Sequence, residues 1–204
     1  MKPWELFNHI WDVDYNKSGF DLDWLCEVDD QEKVVRLMFE PSTSIKDWFI
    51  NIAGFIPFLW FPFFFCWGWK TVFDGCKELI FEEFLRKINL HKGYKVLICG
   101  HSYGGAMSVI AGLELYKRTK IKADVITFGA PMPLFLFWSK FIARLELGEV
   151  IQWAHWSDLV TYCPPIPGLH NVRVKRIGKF SFKALLDASK THMSYGDKEL
   201  YPKG

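Results

Sequence analysis

Apolar and polar residues are spaced along the chain so that short strands and longer helices alternate. Asp21 to Glu27 and Lys33 to Phe39 have strand character on either side of Asp29-Asp30-Gln31, which predicts an antiparallel hairpin. Residues 1–20 mix aromatic and acidic side chains, predict a short helix packed on the outside, and end in the turn Lys17-Ser18-Gly19. Ser44 is positioned to cap a helix carrying Ile45, Trp48, Phe49 and Ile52. Val72 to Asn89 is amphipathic at helical spacing, with Cys76, Ile80, Phe84 and Ile88 on one side and Lys77, Glu78 and Glu82 on the other.

The second half continues the alternation. A strand over Lys95 to Cys99 precedes a helix from Gly105 through Tyr116. Ala123 to Ala130 predicts a buried strand stopped by Pro131 and Pro133, Trp138 to Leu147 a helix, and Val150 to Ala154 a further strand. A loop opens at Pro164, Pro165 and Pro167, then Val172 to Ile177 predicts a strand and Lys183 to Lys190 a helix. This order implies an α/β fold, a parallel sheet with helices on both faces. With 204 residues, no internal repeat and no flexible linker, one domain over residues 1–204 is expected.

One segment breaks the pattern. No charged residue occurs from Trp48 to Trp69, and Phe and Trp crowd the segment, broken by Pro57 and Pro62. Its length suits a membrane span, but the prolines, Asn51, Gly54 and Gly68 oppose a clean helix. A buried core segment is a second reading. The favoured one is an exposed apolar flap lying on a lipid surface, because Trp and Phe suit the membrane interface.

Composition narrows the function. Half the residues are hydrophobic and the net charge is +2, which excludes a disordered or strongly nucleic-acid-binding chain. The five cysteines form no C-x-x-C pair and no Cys/His cluster, so neither zinc nor a disulfide framework is expected. Cys99, inside a predicted strand, reads as packing. The N-terminal residues lack a continuous apolar core, so no secretory signal peptide is expected. A cytoplasmic or peripheral-membrane location follows as the expectation.

The chemistry centres on Gly100-His101-Ser102-Tyr103-Gly104, a G-x-S-x-G between an apolar strand and a helix. That is the form of a nucleophile elbow, with Ser102 strained at the apex and its hydroxyl at a helix N-terminus. Side chains at 100 and 104 would collide with the strand or helix, and Gly105 lets the helix start close to the sheet. A serine nucleophile needs a base and an acid that orients it, both in loops at the C-terminal ends of strands. Asp158, just past Val150–Ala154, meets that requirement; Asp124 is at the wrong end of its strand, and Asp187 reads as a solvated helix residue. For the base, His192 completes the order Ser, Asp, His, while His170 and His155 remain alternatives.

From about Val34 to Tyr195 the chain resembles the class 3, fungal-type triacylglycerol lipases of the α/β-hydrolase superfamily. The carrying motifs are Gly100-His101-Ser102-Tyr103-Gly104-Gly105-Ala106 and Phe128-Gly129-Ala130-Pro131, then Asp158-Leu159-Val160 before Pro164-Pro165, and His192-Met193-Ser194-Tyr195. Phe39 to Trp48 is similar to the family's oxyanion loop, with Glu40-Pro41 standing where Arg-Gly is usual. The resemblance implies a mostly parallel sheet, an aromatic lid over Ile52 to Trp67, and Ser102, Asp158 and His192 as catalytic residues. It also implies Ser42 and the backbone N–H of Tyr103 as oxyanion donors. Trp60, Phe61 and Phe64 of the lid, with His101 beside the apex, are the candidate substrate contacts. A carboxylate at Glu40 turned inward would oppose an oxyanion.

The expected activity is hydrolysis of acyl-lipid esters at a lipid–water interface through an acyl-enzyme. It needs no metal or organic cofactor, and its partners are the lipid substrate and a peripheral membrane surface, with no nucleic acid. The alternatives are a lipase-like protein of weak catalysis that binds lipid through the aromatic segment, and a protein anchored in a membrane by residues 48–69.

Overall fold

The computed structural model describes residues 1–17, 22–41, 67–135, 137–163 and 168–202. β1 (Trp24–Asp29) and β2 (Val34–Phe39) form the expected hairpin, with Trp24 opposite Phe39 and Asp29 opposite Val34. β2 then pairs in parallel with β3 (Lys95–His101), β3 with β4 (Asp124–Phe128), and β4 with β6 (Val150–His155). β6 pairs in parallel with β8 (Val174–Ile177), so the sheet order is β1-β2-β3-β4-β6-β8. A small antiparallel pair, β5 (Leu134–Phe135) and β7 (Leu169–His170), stands apart from it.

Both faces of this sheet are covered, which is why its inner strands read as continuous apolar runs rather than alternating ones. All of β2 is buried. Its Val35, Leu37 and Phe39 join Phe73, Ile80 and Phe84 of α2 (Trp67–Leu90) and Met107 and Ile110 of α3 (Tyr103–Thr119) in one core. On the opposite face Met38, Cys99 and Phe128 meet Leu6, Phe7 and Ile10 of α1 (Pro3–Asp12), with Tyr195 and Tyr201 from the C-terminal turns. α4 (Phe137–Glu146) closes a third cluster, in which Ala143 and Leu147 pack with Val109, Val125 and Val150. Cys99 is fully buried, as read from the sequence, and burial pushes its thiol up to about 12.

Arg36 is the exception in β2. It is only 3% exposed, and its guanidinium bonds Glu27 at 2.8 Å and Asp29 at 2.7 Å across the hairpin. Burial works against its charge, but the two carboxylates outweigh it and raise its pKa. His9 of α1 reaches the same Glu27 at 3.0 Å, tying the helix to the hairpin.

Two expectations are corrected. The N-terminal helix is not an outer attachment, because its Leu6, Phe7 and Ile10 are buried against Met38, Cys99 and Phe128 of the sheet. The helix expected over Lys183 to Lys190 is two, α5 (Phe182–Leu186) and α6 (Ala188–His192). Asp187 breaks it at φ −100°, ψ 59°, ending the first helix and capping the second through Lys190 N–H. The helix expected after Ser44 and the aromatic lid lie outside the described residues. Among the described residues no helix is long and apolar enough to cross a membrane.

Because Phe7 is 4% exposed and packs on Phe128 and Tyr195, Phe7→Ala is expected to lower stability by about 3–5 kcal/mol. Urea unfolding measures this, and a loss near zero would show that α1 does not belong to the core.

Candidate active site

Ser102 sits between β3 and α3 with φ 55° and ψ −126°, a region that non-glycine residues rarely occupy. Its N–H donates to Phe128 O at 2.9 Å, and its carbonyl accepts from Gly105 N–H at 2.9 Å. The flanking glycines are sterically required. A Cβ on Gly100 would lie 2.4 Å from the Gly104 carbonyl carbon, and one on Gly104 would lie 2.6 Å from Phe39 O. A Cβ on Gly105 would meet that of Ala130 at 2.8 Å, so the close start of α3 on the sheet depends on it. Tyr103, the first residue of α3, brings its backbone N–H to the helix N-terminus beside Ser102.

Asp158 lies in the turn after β6 and is completely buried. Such a carboxylate must accept hydrogen bonds to be tolerated. Oδ1 accepts from Val160 N–H at 3.0 Å, an N-cap of the 3₁₀ turn Leu159–Tyr162. Oδ2 accepts from the Tyr195 hydroxyl at 2.6 Å and from His192 Nδ1–H at 2.9 Å. The tautomer follows, since a carboxylate only accepts; Nε2 of His192 is then the free lone pair. That atom is buried and has no hydrogen-bond partner among the described residues.

His101 connects the elbow to this pair. Its Nε2–H donates to the His192 carbonyl at 2.9 Å, and the two rings lie 4.4 Å apart between centroids. Since His101 adjoins Ser102 in the chain, the elbow and His192 are held side by side. Gly129, with φ 57°, completes the space: a Cβ there would lie 2.8 Å from His192 Cε1 and 2.9 Å from Asp158 Oδ2.

Two of the three expected residues, Asp158 and His192, are thus bonded to each other, and Ser102 follows His101, which holds the His192 carbonyl. His170 is on β7 opposite Leu134. His155, at the end of β6, accepts Ser157 N–H at its Nδ1 and presses against Gly178, so it braces the loop. Asp187 is exposed, as expected for a solvated residue. His101 is corrected as a substrate contact: it is 1% exposed and enclosed by Phe7, Trp11, His192 and Tyr195. Ser42, Trp60, Phe61 and Phe64 lie outside the described residues.

Glu40 does not turn inward. Its carboxylate lies 3.3 Å from Lys17 Nζ, which also bonds Asp23 at 2.6 Å. Partial burial, then hydrogen bonding with Asp23, raises the Glu40 pKa against the pull of Lys17.

Two residues had no role in the sequence reading, Tyr195 and Gly129. The tyrosine was visible only as the last letter of His192-Met193-Ser194-Tyr195. In the structure it is fully buried, donates to Asp158 and accepts His155 N–H at 2.9 Å. Burial, then the Asp158 charge and hydrogen bond, raises its pKa well above the ordinary value, so it stays a donor. The sequence signal for Gly129 was a glycine at a strand end, where a positive φ or a close approach is needed.

Tyr195→Phe is expected to lower kcat on a soluble ester roughly tenfold with little change in KM, from loss of one charge-assisted hydrogen bond. An unchanged kcat would remove Tyr195 from the orienting network. His101 gives a pH prediction. Burial, then the neighbouring His192, holds its pKa well below 6.5, so the folded protein refuses a proton that the unfolded chain takes. Stability from this ring is full above about 6.5 and is lost progressively as pH falls below it. His155, lowered by burial, adds to the same slope. His101→Gln is expected to flatten the acid limb of a stability–pH curve without abolishing it; an unaltered limb would contradict the assignment.

Comparisons with known proteins identify the family and the fold. The family model Lipase (class 3) matches residues 21–168, a span that includes Ser102 and Asp158 and stops before His192. A lipase of Rhizomucor miehei is 30% identical over 92 residues, 44% of this chain and 25% of that protein. A lipase of Rhizopus niveus is 26% identical over 148 residues, 67% of this chain and 36% of that one. The Rhizomucor miehei lipase propeptide complex superposes with a TM-score of 0.73 at 20% identity, over 82% of this chain and 56% of that chain, which shows a shared fold. The chain therefore spans only part of the length of these relatives. It belongs to the class 3 lipase family.

Proposed function

We propose that this chain hydrolyses carboxylic esters of acyl lipids through an acyl-enzyme on Ser102. The observation that carries the reading is the His192–Asp158 bond of 2.9 Å, with His192 Nε2 unpartnered among the described residues and Ser102, beside His101 in the chain, held at φ 55°. His192 Nε2 takes the Ser102 hydroxyl proton as Oγ attacks the ester carbonyl, and Asp158 steadies the imidazolium that forms. The carbonyl oxygen becomes an oxyanion facing the N-terminus of α3, where the Tyr103 N–H is the proposed donor. Ser42 is the proposed second donor. Collapse of the tetrahedral intermediate breaks the ester C–O bond, and His192 returns its proton to the leaving alcohol. Water then attacks the acyl-enzyme with His192 again as base, releasing the fatty acid and restoring Ser102.

These steps call for no metal or organic cofactor. The uncharged aromatic run over residues 48–69, with Trp60, Phe61 and Phe64, is the proposed lid and acyl contact. Family membership supports a lipid substrate and a peripheral lipid surface as the place of action. The pairing of Glu40 with Lys17 supports catalysis over weak binding, because a cation matches that carboxylate.

The test is hydrolysis of short- and long-chain acyl esters below and above their solubility limits, with Ser102→Ala as the blank. A Ser102-dependent rate that jumps when the ester forms an interface is expected, and Asp158→Asn is expected to lower kcat roughly 10³–10⁴-fold. Equal rates for parent and Ser102→Ala would overturn the mechanism. A Ser102-dependent rate without the jump would overturn the lid assignment alone.

A further inference from the structure

The stretch from Arg173 to Lys190 has a charge unlike that of the whole chain. It carries Arg173, Lys175, Arg176, Lys179, Lys183 and Lys190 against the single acid Asp187, while the whole chain is only +2. The remainder is therefore net negative. Two of the six cations are used internally: Lys175 lies over the Trp153 ring, and Arg176 bonds Thr161 Oγ1 at 2.8 Å and lies over Tyr162. Lys179, Lys183 and Lys190 are exposed, and no ion pair engages them among the described residues.

Interleaved with these lysines are large apolar side chains facing solvent. Phe180, Phe182 and Leu186 are 63%, 68% and 76% exposed. Phe182 and Leu186 are one turn apart on α5 and share a face. Isolated exposed apolar residues need no explanation, but three in one short segment that also carries free cations mark an interaction surface. Beside them is a cleft of about 310 Å³, with Ser181, Lys183, Asp187, Lys190 and Thr191 among its walls.

We propose that residues 179–190 form a docking surface for anionic lipid bilayers. Phe180, Phe182 and Leu186 enter the boundary between headgroups and acyl chains, where apolar area is gained without burying backbone. Lys179, Lys183 and Lys190 face the lipid phosphates, and the cleft between Lys183 and Lys190 receives a headgroup. A bilayer fits better than an acidic protein, because Phe180, Phe182 and Leu186 project into solvent, and a deformable surface needs no shape complement. The segment is distinct in sequence from the aromatic run over residues 48–69. It extends the lipid-hydrolase reading by naming the charge of the lipid surface, yet vesicle binding needs no catalysis, so the two readings fail separately.

The experiment is co-sedimentation of the Ser102→Ala protein with phosphatidylcholine vesicles, and with vesicles in which a third of the lipid is phosphatidylserine. Binding is expected to be tighter on the anionic vesicles and to weaken with added salt. Lys179→Ala combined with Lys183→Ala is expected to weaken anionic binding on the order of thirty-fold, and to leave neutral vesicles nearly unaffected. Phe180→Ser with Phe182→Ser is expected to weaken both. The same double variants made in the parent should keep its thermal unfolding and its rate on a water-soluble ester, which shows an intact fold and site. Binding indifferent to phosphatidylserine, or unchanged in the lysine variant, would overturn the proposal. A parent without ester hydrolysis but with phosphatidylserine-dependent, lysine-dependent binding would keep this proposal and sink the catalytic one.

Discussion

A carboxylate with no solvent exposure has to be satisfied by the protein, and the arrangement of the site follows from how Asp158 is satisfied. Its three donors come from different parts of the chain: the turn that Asp158 itself caps, the end of α6, and the turn after it. Tyr195 passes the constraint on by accepting His155 N–H from the end of β6. Its ring is in turn enclosed by Phe7 of α1, His101 of β3 and Phe128 of β4. One buried charge thus fixes the mutual position of the first helix, the central strands and the C-terminal segment. Removing one donor leaves the other two to offset the desolvation of the carboxylate, a loss of about 1–3 kcal/mol.

The same region also holds strained backbone and close contacts. Ser102 at φ 55° costs on the order of 1–3 kcal/mol. Its neighbours can be held only if positions 100, 104, 105 and 129 carry no side chain beyond hydrogen. Buried polar atoms without a partner among the described residues also gather here, at His192 Nε2, His101 Nδ1 and Thr127 Oγ1. The surrounding parallel strands and α3, packed on both faces, offset these costs. Strain and unsatisfied groups concentrated beside a hydroxyl and a free imidazole nitrogen are what an attacking site requires.

Much of this was legible in the residues. Short apolar runs such as Lys95 to Cys99 and Ala123 to Ala130 specify buried parallel strands, and G-x-S-x-G between a strand and a helix specifies the elbow. Asp158 was found because it follows a strand end. His192 could not be separated from His170 and His155 by position alone, since the sequence does not show which histidine faces the carboxylate. Tertiary packing decided the remaining points. Residues 1–20 read as a short helix packed on the outside until its contacts with Met38, Cys99 and Phe128 are known. Tyr195 and Gly129 matter through contacts with residues distant in sequence. The single helix expected before His192 is broken because the Asp187 side chain caps a new start better than it continues the old one.

The most direct test of the central claim is labelling with an alkyl fluorophosphonate, followed by mass spectrometry of the modified peptide. The reagent reacts with a serine only where a base removes its proton and donors hold the developing oxyanion. The account predicts one adduct, on Ser102, whose formation slows sharply in Asp158→Asn while the fold persists. No adduct, an adduct on another serine, or equal labelling in Asp158→Asn would contradict the claim that Asp158 and His192 activate Ser102.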